Sequence, residues 1–85
     1  MEKGNSAWTA AEVLDLTGLK CPLPSLMTEK ALRSMAPGAV VAVTVTDPMA
    51  PLDLRHLCQK LGHSFVAERA GDGAGRQILI RRGPA

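Results

Sequence analysis

Apolar positions recur along this chain with two different periods. Across residues 39–46, Val41, Val43 and Val45 alternate with Val40, Ala42, Thr44 and Thr46. That two-residue period in a β-branched run predicts a strand with two packed faces. Shorter runs predict three more strands. One covers residues 12–16, where Val13, Leu14 and Leu16 flank Asp15; one covers 63–69, with Phe65 and Val66; the last covers 76–82, centred on Ile78-Leu79-Ile80. Two stretches follow a helical period instead. Over residues 22–35, Leu23, Leu26, Met27, Ala31 and Met35 fall on one face, with Thr28, Glu29 and Arg33 off it. Over residues 51–61, Leu54, Leu57, Cys58 and Leu61 fall at i, i+3, i+4 and i+7.

Breakers separate these runs. Thr17-Gly18, Pro37-Gly38, Asp47-Pro48 and Gly62 lie where periodicity stops. Pro22 and Pro24 are tolerated only in a first helical turn, where amides lack partners, so they mark the start of the first helix. Residues 70–75, Ala-Gly-Asp-Gly-Ala-Gly, read as a turn joining the last two strands into a hairpin. The order is β-α-β-α-β-β. Residues 1–10 are polar and aperiodic apart from Trp8, which predicts a flexible leader with Trp8 packing back on a single domain spanning 11–85.

Strand–helix–strand connections within one sheet are parallel. The first three strands are therefore expected to run together and the fourth against them. The resulting fold class is α+β, a two-layer sandwich with two helices on one face of a mixed four-stranded sheet and the other face barer. Lys20, Cys21, Asp47, Pro48, Met49, Arg69, Arg76 and the glycine turn then share the edge at the C-terminal ends of the first three strands. Open sheets of this kind place their sites there. His63, Arg81 and Arg82 fall at the opposite edge.

Composition narrows the function classes. In 85 residues, 46% are hydrophobic but only Trp8 and Phe65 are aromatic, so stacking platforms for single-stranded nucleic acid are missing. Ten Lys and Arg against eight Asp and Glu leave a net charge of +2, too mild to signal nucleic-acid binding by itself. No run has membrane length and no signal peptide is visible, so the expected location is cytoplasmic, where free thiols persist.

The candidate chemistry centres on Cys21. A thiol at a helix start meets the positive end of the helix dipole and free amides, which favour the thiolate over a thiol whose ordinary pKa is about 8.5. Lys20 is expected to add to this effect, and Pro22 to fix the backbone so that the sulfur projects. Pro24 stands where a Cys-x-x-Cys pair would need its second cysteine, which removes a local disulfide. His56 falls mid-helix and His63 on the far edge, so neither is expected to act as base. Cys58, on the apolar stripe of the second helix, reads as a core residue. Asp47 reads as a turn or cap residue placed to tune Cys21. Arg81, Arg82 and Lys60 read as surface charge. What is left is one accessible nucleophilic sulfur, suited to receiving and passing on a sulfur atom.

These residues carry a resemblance. Residues 14–24, Leu-Asp-Leu-Thr-Gly-Leu-Lys-Cys-Pro-Leu-Pro, resemble the signature of the TusA/SirA-type sulfur-carrier family, as do Asp47-Pro48 and Leu57-Cys58 ahead of Leu61-Gly62-His63. The resemblance implies sheet order 1-2-4-3, an architecture similar to the C-terminal domain of translation initiation factor three, and a cysteine persulfide carried transiently on Cys21 with no cofactor or metal. It implies a monomer acting with partner enzymes: a cysteine desulfurase or rhodanese-like donor and an acceptor protein, in sulfur relay toward tRNA thiolation or other sulfur trafficking. Lys20, Pro22, Pro24 and Asp47 are the accompanying motif residues. Thr17 stands where that family frequently has arginine, which bears on partner choice. The competing reading is a non-catalytic regulatory or RNA-binding module.

Overall fold

A computed structural model describes residues 3–71, 73 and 75–84, the side chains of residues 3–6 excepted. The central strand is β2, Val40–Val45. It pairs in parallel with β1, Glu12–Asp15, on one side and antiparallel with β4, Arg76–Arg81, on the other. The remaining strand, β3, Ser64–Ala70, completes the order β1-β2-β4-β3, antiparallel to β4. The strand order and directions are those expected. Gly71 N–H donates to the Gly75 carbonyl at 2.9 Å and closes the β3–β4 hairpin. Asp72 and Ala74 of that turn lie outside the described residues.

The register shows which face each residue takes. Val41, Val43 and Val45 pair with Ile80, Ile78 and Arg76 and share their face. Against that face pack the helix Leu23–Arg33 and the helix Ala50–Leu61. With Lys3–Ala10 also helical, these are α2, α3 and α1 in chain order. Leu16, Leu32, Val41, Val43, Val45, Ala50, Leu54, Cys58, Ile78 and Ile80 form one buried cluster between the layers. Each fully buried aliphatic side chain contributes about 1.5–3 kcal/mol, so this cluster is the main source of stability in so small a domain.

Within the first ten residues, Trp8 packs back on the domain as expected, but the stretch around it is helical. Lys3–Ala10 form a helix lying against β2. Arg69 stacks its guanidinium 4.0 Å from the centre of the Trp8 ring, and Arg69 pairs in register with Gln77 on the face away from the core. On that face Ala42 and Leu79 are buried. The second face of the sheet is thus partly covered by α1, which local pattern alone does not reveal because the segment is polar and aperiodic.

Helix α2 is rotated from the face its hydrophobicity suggests. Its buried positions are Pro24, Thr28 and Leu32, while Leu23, Leu26 and Met27 are 45%, 54% and 40% exposed. The line Pro24–Thr28–Leu32 follows the i, i+4, i+8 ridge that meets the sheet. Thr28 is fully buried and its Oγ1 has no hydrogen-bond partner among the described residues.

Two features correct the reading of the far edge. Arg82 is not simple surface charge: its Nε donates to the Leu32 carbonyl at 2.8 Å, satisfying the C-terminal end of α2. Gly83 N–H donates to His63 Nδ1 at 2.9 Å, and a Cβ on Gly83 would meet the Gly62 carbonyl oxygen. At the α3 terminus, Gly62 takes the left-handed conformation (φ 81°) and bonds the Cys58 carbonyl, as expected of a helix stop. Arg55 lies 4.1 Å over the Phe65 ring and ties α3 to β3.

Two measurements check this account. Thr28→Val keeps the shape and removes the unpaired hydroxyl. It is expected to raise the unfolding free energy by about 1–3 kcal/mol in urea melts; a destabilised variant would show that the hydroxyl is paired. His63 has its pKa lowered below the ordinary 6.5 by burial and then by Arg82, against a smaller opposing effect of Glu29. The unfolded state therefore binds this proton more readily, so stability is full above the ordinary histidine range and declines as pH falls through it. His63→Gln is expected to flatten that decline in melting temperature between neutral and mildly acidic pH.

Candidate functional site

Two loops build the site. The first runs from β1 to α2. Leu16 N–H continues the ladder to the Thr44 carbonyl at 2.8 Å, and Gly18 turns the chain with φ 85°. Gly18 N–H then donates to Thr46 Oγ1 at 2.9 Å, and Cys21 N–H donates to Asp47 Oδ2 at 2.7 Å. The second loop runs from β2 to α3, where Asp47 Oδ1 accepts from Met49 N–H at 2.9 Å. One carboxylate thus closes an Asx turn at the entry to α3 and holds the backbone of Cys21. Asp47 thus reaches the cysteine's backbone. The Asp47 carboxyl lies below the ordinary carboxylate range through the Met49 and Cys21 amides, with Lys20 contributing.

Cys21 is exposed and its sulfur is free. Pro22 caps α2 and Pro24 sits in its first turn, as their ring chemistry requires. The Sγ–H donates to Asp53 Oδ2 at 2.7 Å. The Cys21 pKa is raised, first by this hydrogen bond, then by partial desolvation and by the charges of Asp53 and Asp47. This reverses the expectation of a thiolate favoured by the helix start. The amides that would have stabilised an anion are engaged elsewhere: Cys21 N–H by Asp47, and Leu23 N–H by the Lys20 carbonyl at 2.8 Å. Pro22 and Pro24 have none. The positive charge of Lys20 acts on Asp47.

Asp53 is the site residue that sequence reasoning did not find. It lies in the first turn of α3, on a second face formed by Asp53, His56, Leu57 and Lys60 at i, i+3, i+4 and i+7. Together with Cys21, Pro22 and Ser25 these line a shallow groove of about 260 Å³. His56, expected mid-helix and not as a base, lines the same groove as the cysteine, and the thiol's hydrogen bond goes to Asp53. Among the described residues, no cluster of three or more His, Cys, Asp and Glu side chains is arranged to hold a metal ion.

The other sequence candidates separate. Arg69 and the glycine turn share the sheet edge with Cys21 but line a depression of about 690 Å³ on the opposite face. Polar groups there are paired with one another: Asp15 with Thr17, Thr44 with Gln77, and Gln77 with Arg69. Thr17 therefore serves to hold Asp15, lowering its carboxyl pKa through hydroxyl and amide. Cys58 is buried as expected, and burial pushes its thiol up to about 11 despite Arg55. On the two helices, by contrast, apolar side chains turn outward: Leu23, Leu26 and Met27 on α2, which begins just after Cys21, with Met49 and Leu52 at the start of α3, 51% and 47% exposed.

Fold and site together define a small α+β sandwich presenting a single exposed thiol at a clamped sheet edge. Residues 12–82 match the family model described as sulfurtransferase TusA. Over 61 residues the chain is 39% identical to the sulfur carrier protein TusA of Pseudomonas aeruginosa, covering 72% of this chain and 77% of that protein. Over 63 residues it is 46% identical to a Neisseria meningitidis protein provisionally named a sulfur carrier, covering 74% and 85%. A SirA-like protein from Desulfitobacterium hafniense has a similar crystal structure, with a TM-score of 0.74, 25% identity, and coverage of 84% of this chain and 96% of that one. The chain belongs to the TusA sulfurtransferase family.

The contrast between the two thiols gives a direct check. Iodoacetamide at pH 8 is expected to add one label to the native protein, on Cys21, and a second on Cys58 only in denaturant. Labelling of Cys58 in the folded protein would contradict its burial.

Proposed function

We propose that this protein is a sulfur carrier that takes a sulfane sulfur onto Cys21 as a persulfide and hands it to an acceptor protein. The observation that supports this most is the single exposed thiol, at the entry to a helix that also turns Leu23, Leu26 and Met27 outward, with Met49 and Leu52 exposed at the start of α3. Exposed apolar side chains on the elements that present the nucleophile suit a surface that another protein covers during the reaction. Loading is a thiol–persulfide exchange. The Cys21 sulfur attacks the terminal sulfur of a donor persulfide, the donor's S–S bond breaks, and its electron pair stays on the donor sulfur. In balance, Cys21–SH and R–S–SH give Cys21–S–SH and R–SH, with no external oxidant or reductant. Unloading is the same exchange toward the acceptor.

The donor class is a cysteine desulfurase or a rhodanese-like protein, both of which present a cysteine persulfide. Sulfur relay toward tRNA thiolation is one destination among sulfur-trafficking routes, and a cytoplasmic site of action fits a thiol kept reduced. Catalytic power resides with the partners, and the carrier supplies a positioned sulfur. Among the described residues, no helix is long and apolar enough to cross a membrane.

The test follows the sulfur. Incubated with a persulfide-bearing desulfurase and isotopically marked sulfur, the protein is expected to gain one sulfur by mass, lost in Cys21→Ala and kept in Cys58→Ala. Absence of label on Cys21 would sink the reading, and salt-dependent RNA binding that survives Cys21→Ala would favour a binding module.

A further inference from the structure

Sulfur exchange needs an accessible thiol; it does not need that thiol to be hydrogen-bonded to a carboxylate. Yet Cys21 Sγ donates to Asp53 Oδ2 across 2.7 Å, and the two residues come from different elements 32 positions apart. The groups facing the sulfur can be named. Asp53, His56 and Lys60 come from α3, Ser25 from α2, and Asp47 from the loop before α3. Lys20, the neighbouring cation on the cysteine's own loop, acts on Asp47. The group in direct contact with the sulfur is therefore an anion, and a second anion holds its backbone.

Building on the carrier reading, we infer that Asp53 is a load-sensing latch, a positioning residue that holds the unloaded sulfur as a thiol turned into the groove and repels it once it bears a persulfide. The argument is one of charge. The thiol has a proton to donate, and a carboxylate is the strongest acceptor available to it. Both nearby carboxylates also disfavour loss of that proton, which agrees with the raised Cys21 pKa. Loading replaces Cys21–SH by Cys21–S–SH, and a hydropersulfide is a stronger acid than its parent thiol. Its proton passes to water, leaving Cys21–S–S⁻. That anion has nothing to donate to Asp53 and is repelled by it. The empty carrier keeps its sulfur quiet in the groove, and the loaded carrier displays the sulfur that the acceptor must reach.

The test separates the latch from the carrier reading, because neither of its arms uses a donor protein. In the first arm the pH dependence of iodoacetamide labelling at Cys21 is measured by mass. Wild type is expected to reach half-maximal rate above the pH of an ordinary thiol. Asp53→Asn is expected to move that midpoint down and to speed labelling severalfold at pH 7, while Asp53→Glu keeps the slower wild-type behaviour in large part. Asp53→Ser serves as a second neutral variant should Asp53→Asn unfold. In the second arm the protein is loaded with inorganic polysulfide. The amide NMR signals of Asp53 and His56 are expected to move to their positions in Cys21→Ala, where no sulfur contacts the carboxylate. An unchanged labelling profile in both neutral variants, or loaded signals matching the unloaded protein, overturns the latch and leaves the carrier reading standing. A shifted profile in a protein that takes no sulfur from a desulfurase overturns the carrier reading instead.

Discussion

The Asp47 carboxylate is the contact on which the reactive end depends. Its two oxygens are divided between the two loops that cross the same sheet edge, one on Met49 N–H and one on Cys21 N–H. Thr46 adds a parallel tie to Gly18. Both loops leave the C-terminal ends of the parallel pair β1 and β2, so the pairing of those strands brings them together. A short acidic side chain at that point links two exposed connections to each other. The position of the sulfur is therefore inherited from the strand register rather than from the helix that follows it.

That arrangement changes how the cysteine should be understood. A thiol at a helix start is ordinarily considered activated by the dipole and the first amides. Here the Cys21 and Leu23 amides are already bonded, two residues supply no amide, and one carboxylate contacts the sulfur while another holds the cysteine's backbone. The local field disfavours the thiolate. Reactivity in such a site depends on what approaches it, which fits a protein that works between partners.

Much of this was legible in the chain. The alternation in β2, the glycine and proline stops, and the placement of Pro22 and Pro24 are local signals, and they carried the element order and the parallel and antiparallel directions. The family signature added the strand order. Cys21, Cys58 and Asp47 were found because turn chemistry and periodicity act over a few residues. The misreadings all involve relations between distant elements. Hydrophobicity could not tell that Leu23, Leu26 and Met27 face outward while Thr28 lies inside, because core faces and partner faces are made of the same residues. Asp53 was missed since only the mutual rotation of α2 and α3 brings it to Cys21. Arg82 looked like surface charge because its acceptor, the Leu32 carbonyl, lies 50 residues away. The helix at Lys3–Ala10 was missed because its polar segment has no helical period of its own and is seated by tertiary contact with β2.

The exposed apolar side chains of the two helices have their own consequence. A carrier must fit two different proteins in succession with one surface, and a sharply shaped surface would favour one of them. Two of these residues, Met27 and Met49, are unbranched thioethers with three rotatable side-chain bonds. Such side chains repack at little cost and can conform to unlike contours. The backbone of the two loops is hydrogen-bonded across the sheet edge, so the adaptable layer is one side chain deep, able to change hosts without relocating its cargo.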